Sequence, residues 1–338
     1  MVEAGLSSDH GPRYNLALKE DHLANRRFPA GCECVACCRN RPWPGMNVRN
    51  DGERPMGRAG RVTERRTINT GRNLPVAIAV GVGLGALVII TLLTMKVTFL
   101  ILVAVIVGIA LAELRHVMAT RHTSLPLIPI AVGGAVMFGL AYWQGAKDAL
   151  AALAITFIAV VAWRLPGGAS GYVRDITAGV FALIYLPTLA SFVALMLAQP
   201  HGAQRDLLFV ILAVCSDTGG YFSGILFGRH LMAPAISPKK TWEGLAGSIV
   251  LCLAAGALGM TYLLPGTVWS GLVLGAAAVA AATFGDLAES MIKRDLDIKD
   301  MGHILPGHGG VMERIDSLLI VAPVAWLLLT VFIPHAAH

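Results

Sequence analysis

The chain reads as an all-α, polytopic integral membrane protein, and three observations carry that expectation. Hydrophobic residues fill 55% of the 338 positions and charged residues only 14%, against about 25% charged in a typical soluble domain. Mean hydropathy is +0.65. The apolar residues are also gathered into runs long enough to cross a bilayer as helices, each needing roughly 20 residues, and no soluble domain interrupts them.

Residues 1–72 form a separate compositional zone, polar, basic and rich in Gly, Pro, Asn and Arg. They lack a sustained helical or strand period, so a disordered tail is expected, with residues 73–338 as the transmembrane catalytic domain. No signal peptide is visible, because the first apolar run begins near Pro75. Cys32, Cys34, Cys37 and Cys38 invite a zinc reading. The Cys-x-Cys spacing and the lack of a second half-site argue against it. Met46 and Met56 both precede the basic run and are candidate alternative starts.

About nine apolar spans follow, near 75–94, 97–112, 125–143, 147–163, 175–198, 206–227, 244–264, 267–288 and 317–334. With the tail inside, the cytoplasmic connections hold Arg115, Arg121, Arg164, Arg174, Arg229, Lys239, Lys240, Lys293, Arg294, Lys299 and Arg314. The other side holds only Lys96, Lys147 and Arg205. That asymmetry predicts a cytoplasmic N-terminus. It also explains the net charge of +6 without nucleic acid, since 13 of the 27 lysines and arginines lie before residue 73. Tyr142 and Trp143 fit an interfacial aromatic belt, and Cys215 and Cys252 read as packing residues. Glu113, Arg115 and His116 read as the polar end of the second span. Arg164 and Arg174 bracket a Pro-Gly-Gly-Ala-Ser-Gly link.

Four stretches depart from this apolar background. Asp217 lies well inside the sixth span, where an unpartnered carboxylate costs about 2.5–3.5 kcal/mol on the insertion scale and therefore calls for a partner or a watery cavity. Gly220, Gly224 and Gly228 recur on one face of that span and read as close helix packing. In Ile236–Gly244, Ser237-Pro238 predicts a turn and Thr241 a helix cap with Glu243 in the first turn. Lys239 and Lys240 would then stand beside a helix N-terminus, a favourable place for phosphate or simply a positive-inside loop. In Phe284–Arg294, a helix would set Asp286, Glu289, Ser290 and Lys293 on roughly one face, suited to a metal-bound phosphate or to surface Glu289–Lys293 pairing.

The densest stretch is Ser290–Asp316, in which lysines, arginines, acids, histidines and glycines lie between two apolar segments. A positive-inside loop accounts for the bases but not for the acids among them or the Gly-His-Gly-Gly turn. Paired carboxylates hold divalent metals, cations hold phosphate oxygens, and glycines admit backbone close to a bulky anion. The combination points to phosphoryl or nucleotidyl transfer, where catalysis is mostly positioning and charge neutralisation.

Ser290, Lys293, Arg294, Lys299, Asp300, Pro306, His308, Gly309, Gly310, Arg314 and Asp316 fall on a pattern that resembles the signature of the phosphatidate cytidylyltransferases, also called CDP-diacylglycerol synthases. Glu313 departs from it, standing where the family's terminal Asp-Arg-x-Asp has its first acid. The Ser-Pro-Lys-Lys-Thr segment and the Asp217–Tyr221 spacing are also similar to that family.

The resemblance implies transfer of CMP from CTP to phosphatidic acid at the lipid bilayer, with Mg2+ as cofactor and a monovalent ion such as K+ alongside it. Asp217, Asp286 and Asp316 are then the expected metal-holding carboxylates, with Glu289 and Asp300 in support. Lys239, Lys240, Ser290, Lys293, Arg294, Lys299 and Arg314 would meet the triphosphate and lipid phosphate. His308, Gly309 and Gly310 would shape a turn bringing backbone amides to the phosphates. Asp286, Lys293, His308 and Asp316 are the expected catalytic set. The expected location is the plasma membrane, with the site facing the cytoplasm, and a homodimer is compatible although no interface is readable. An enzyme acting on another lipid, such as an isoprenoid, or a lipid kinase would share this chemistry. An ion-coupled transporter using Asp217 and Asp286 is the reading from a different class, but no internal repeat supports it.

Overall fold

A computed structural model describes residues 74–234, 236–302 and 309–333. The tail with its cysteines and candidate starts, and His308 in the signature turn, lie outside the described residues.

Ten α-helices carry the chain: α1 (Leu74–Thr94), α2 (Lys96–Thr120), α3 (Leu127–Trp143), α4 (Ala146–Arg164), α5 (Tyr172–Leu183), α6 (Leu189–Ala198), α7 (Gly202–Phe227), α8 (Trp242–Tyr262), α9 (Val268–Asp295) and α10 (Met312–Phe332). Strands β1 (Leu231–Ala233) and β2 (Ser237–Thr241) form a hairpin between α7 and α8. Among the described residues, seven helical segments are long and apolar enough to cross a membrane, α5 and α6 counting as one. α3 and the Gly81–Thr94 part of α1 are shorter apolar helices. The protein is thus an all-α polytopic membrane protein. Large apolar side chains such as Ile90, Ile101, Ile155 and Leu226 remain exposed, as a lipid-facing surface requires. Exposed aromatics at helix ends (Trp143, Trp163, Trp242, Tyr262 and Trp269) match an interfacial belt.

Three local features differ from expectation. α2 runs to Thr120, past the expected end near 112, so Glu113 sits inside the helix rather than beyond it. Ser237–Thr241 is a strand, with Leu231 opposite Thr241 and Ala233 opposite Ser237. Thr241 caps α8 as expected, accepting the Gly244 N–H at 3.1 Å. Glu243 does not face an anion: its carboxylate folds back onto the Arg229 and His230 amides and His230 Nδ1. The loop after α4 is more than a link, because buried Asp175 ties it down. Its carboxylate accepts from Arg164 Nε at 2.7 Å and from the Ser124 N–H at 3.0 Å.

Between α5 and α6 the helix widens into a π turn over Ile184–Thr188. Pro187 lacks an N–H and leaves the Leu183 carbonyl short of its normal donor. The Thr188 hydroxyl supplies one instead, at 2.8 Å.

The helices that build the polar face pack at glycines. A Cβ on Gly219 would come within 2.8 Å of the Gly247 carbonyl oxygen and 2.9 Å of Ser248 Cα. α7 and α8 therefore meet backbone to backbone, with Ser248 Oγ donating to the Ser216 carbonyl at 2.6 Å. Of the expected glycine row, Gly220 joins this seam. Gly224 makes an ordinary contact with Thr241, and Gly228 lies past the helix end.

At the opposite end of α7, Arg205 is 1% exposed and Asp206 is fully buried. Arg205 donates to the carbonyls of Pro200, Leu329 and Ile333, each at 3.0 Å. It joins α7 to the end of α10 and is not one of the loop charges that report topology. Arg205→Leu would strip three carbonyls of their donor and remove one of the two cations, with Lys96, whose charge reaches buried Asp206. We expect it to destabilise the protein by about 3–5 kcal/mol, seen as a lower thermal unfolding midpoint in detergent.

Candidate active site

The site is assembled where the polar motifs of the sequence converge, at the end of the bundle formed by the C-terminal halves of α7 and α9 and the N-termini of α8 and α10. Asp217, Gly220 and Tyr221 of α7, Lys239, Lys240 and Thr241 of the hairpin strand, and Thr283 and Asp286 of α9 line a cavity of about 230 Å3. Lys240 Nζ forms an ion pair with the Asp286 carboxylate, and Lys239 stands exposed on the rim. Asp217 faces this cavity, as an acid in a membrane helix must face either a polar space or a partner.

A second group of charges lies where α9 crosses α10. The crossing needs a residue without a side chain at Gly285, since a Cβ there would sit 2.7 Å from the Asp316 carbonyl oxygen. The close approach sets Asp286 and Glu289 beside Asp316. As the helix reading predicts, Lys293 pairs with Glu289 one turn back, at 2.7 Å. The same ammonium reaches Glu313 on α10 at 3.1 Å. Glu289 is 3% exposed, and its second oxygen, Oε1, has no hydrogen-bond partner. Asp316 accepts the Ser317 N–H at 2.7 Å and feels the charges of Asp286, Glu289 and Asp217. Asp217 in turn feels Asp286, Lys240 and Arg314. The fold therefore gathers five carboxylates (Asp217, Asp286, Glu289, Glu313 and Asp316) and three cations (Lys240, Lys293 and Arg314) from three helices and a hairpin.

The turn into α10 is held by two acids. Gly309 adopts φ +84°, a left-handed conformation natural to glycine. The Gly310 N–H donates to Glu313 Oε2 at 2.9 Å. Glu113 of α2, 5% exposed, accepts the N–H groups of Val311 and Met312 at 3.1 and 3.0 Å. These amides are among those a helix start leaves without intrahelical partners, and here side chains of the chain itself take them. Glu313, the departure from the family signature, spends its extra methylene reaching both Lys293 and the turn.

The remaining sequence candidates stand further out. Arg294 is exposed, and its Nε donates to the Ile236 carbonyl at 3.4 Å, tying α9 to the hairpin. Lys299 is exposed, Ser290 and Asp300 are half-buried, and none of the three makes an ion pair or side-chain hydrogen bond among the described residues. Glu113 is the residue that sequence reasoning missed. The signal was present, because the rule that singled out Asp217, an acid within an apolar run, applies equally to it.

No three acids, histidines or cysteines among the described residues form a ready-made metal cluster. The donors are nonetheless of the right kind. They are carboxylate oxygens, which suit a hard divalent cation, and Glu289 Oε1 is a buried acceptor with nothing to accept.

We expect Glu113→Ala to strand two buried donors, at about 1–3 kcal/mol for each. A lowered thermal midpoint together with reduced turnover would be the readout, with Glu113→Gln retaining part of both.

Comparison with known proteins places the chain in a family. The model of the cytidylyltransferase family matches residues 75–332. A phosphatidate cytidylyltransferase of Mycobacterium leprae is 39% identical over 304 residues, covering 85% of this chain and 97% of that protein. One of Mycobacterium bovis is 41% identical over 219 residues, 61% of this chain and 72% of its own length. One of Thermotoga maritima is 35% identical over 200 residues, 57% and 72% respectively. With a match that spans the whole transmembrane region and every element of the polar site, the chain belongs to the cytidylyltransferase family.

Proposed function

We propose that this enzyme transfers CMP from CTP to phosphatidic acid, giving CDP-diacylglycerol and pyrophosphate for phospholipid synthesis. The observation that carries the reading is the cluster of Asp217, Asp286, Glu289 and Asp316 interleaved with Lys240, Lys293 and Arg314 beside an open cavity at one end of the bundle. The similarity to phosphatidate cytidylyltransferases supports the choice of substrates.

The chemistry asks little of a general base. The lipid phosphate is already ionised, and one of its oxygens attacks the α-phosphorus of CTP. A new phosphoanhydride bond forms, the bond from the α-phosphorus to the bridging oxygen breaks, and pyrophosphate leaves with the electron pair. The obstacle is repulsion between two polyanions and the charge developing on the leaving group. Lys239 and Lys240 at the cavity, with Lys293 and Arg314 at the crossing, supply the opposing charge. Asp217, Asp286 and Asp316, with Glu289, are the residues that would hold Mg2+; when bound, it supplies Lewis-acid neutralisation of the phosphates. A monovalent cation such as K+ would share this acidic surroundings.

The architecture suits an insoluble substrate. A cavity at the membrane surface takes a diacyl lipid laterally and CTP from water. The excess of Lys and Arg on the loops at this end supports a cytoplasmic site in the plasma membrane, with the N-terminus on the same side.

The test is purified protein in detergent with phosphatidic acid and CTP labelled at the α-phosphate, with and without Mg2+. Metal-dependent label in a CDP-lipid, with one pyrophosphate released per lipid, is the expected result. Phosphorylated lipid made from γ-labelled CTP would instead identify a kinase. Asp316→Asn is expected to lower turnover on the order of 100-fold or more while the protein still inserts and folds. Near-normal turnover in a folded variant would remove Asp316 from the machinery.

A further inference from the structure

Tyr185 belongs to none of the motifs above, yet it is a buried polar residue whose hydroxyl has no hydrogen-bond partner among the described residues. It lies in the π turn between α5 and α6, where Pro187 interrupts the regular ladder. α3 accommodates that distortion by presenting Gly134, where a Cβ would stand 2.8 Å from Pro187 Cβ. Single π turns inside α-helices are frequent at functional sites.

The tyrosine is 7% exposed, and its ring stacks on Phe181 with centroids 5.2 Å apart and planes 14° from parallel. That packing needs only a phenyl ring. The hydroxyl, however, is buried without a hydrogen-bond partner, which is unfavourable for a polar group that phenylalanine would spare. Its charged surroundings are all acidic: Asp316, Glu289 and Asp286 are the groups whose fields reach it. A buried donor with nothing to donate to thus lies within the fields of these acids, and one of them, Glu289, has a buried oxygen, Oε1, that is itself without a donor.

We propose that Tyr185 is a positioning residue of the cytidyl-transfer site. During turnover its O–H donates, directly or through one water, to the Glu289 carboxylate at the α9–α10 crossing. It holds that side chain from the membrane side while Lys293 holds it from the other. The π turn is what aims the phenol at this acid. The inference rests on the CMP-transfer reading and assigns a role to a residue outside the signature.

The experiment is Tyr185→Phe in the full-length protein, compared with wild type for kcat, for KM of CTP and of phosphatidic acid, and for thermal midpoint. Loss of one hydrogen bond to a charged group is expected to lower kcat about tenfold. Both KM values should stay within about twofold, as for an interaction that matters in the transition state and not in ground-state binding. The thermal midpoint should be unchanged or higher, because a buried unpaired hydroxyl has been removed. Unchanged kcat would overturn the proposal. So would a fall in kcat accompanied by a lower midpoint, since that would mark Tyr185 as structural. Absence of CMP transfer in wild type would instead overturn the functional reading on which the proposal stands.

Discussion

Placing several carboxylates among membrane helices is the constraint on which the rest of this structure depends. An acid in an apolar bundle needs a cation, a hydrogen-bond donor or a polar space, and each acid here is given one. Asp286 has Lys240, Glu289 has Lys293, Asp217 has the cavity, and Glu113 has two backbone amides. The cations that satisfy the acids are the same groups that would neutralise a triphosphate. Structural pairing and substrate binding thus draw on one set of charges, so anionic substrates and the carboxylates compete for the same lysines. Of these four, Glu289 keeps a buried acceptor in reserve.

Close backbone approach makes this economy possible. Gly219 brings α7 against α8, and Gly285 brings α9 against α10, with no side chain between. The first approach sets Asp217 across the cavity from the hairpin lysines. The second sets Asp316 beside the α9 acids. In the absence of a hydrophobic driving force between helices in lipid, such contacts and interhelical hydrogen bonds hold the bundle together. At the far end, Arg205 does the same work through three carbonyls of α10 and the α6–α7 turn.

Much of the site was legible because local periodicity governs it. Asp286, Glu289 and Lys293 share a helix face by spacing alone, and the Glu289–Lys293 pair follows from one turn of separation. Thr241 as a cap follows from residue type and position. The hairpin was not legible, since five residues containing Ser-Pro look like a turn until β1 is there to pair with β2. Arg205 looked like a loop charge because nothing local announces that carbonyls more than a hundred residues away will enclose it. Tyr185 was missed for the same reason, whereas Glu113 did carry a local signal, an acid within an apolar run, and only its partners, the amides that open α10, lay across the fold.

Composition and pattern alone determined that this protein lives in the membrane as a helical bundle, and the spaced charges of Ser290–Asp316 determined its chemistry class. Those conclusions follow from the cost of burying polar groups in lipid and from residue types that bind phosphate, neither of which depends on tertiary detail. Only the folded structure decided which acid meets which cation, that Glu113 holds the start of α10, and that a π turn buries a phenol whose hydroxyl has no partner among the described residues. Such pairings depend on distances between helices remote in sequence, and helix crossings set by glycine contacts fix those distances.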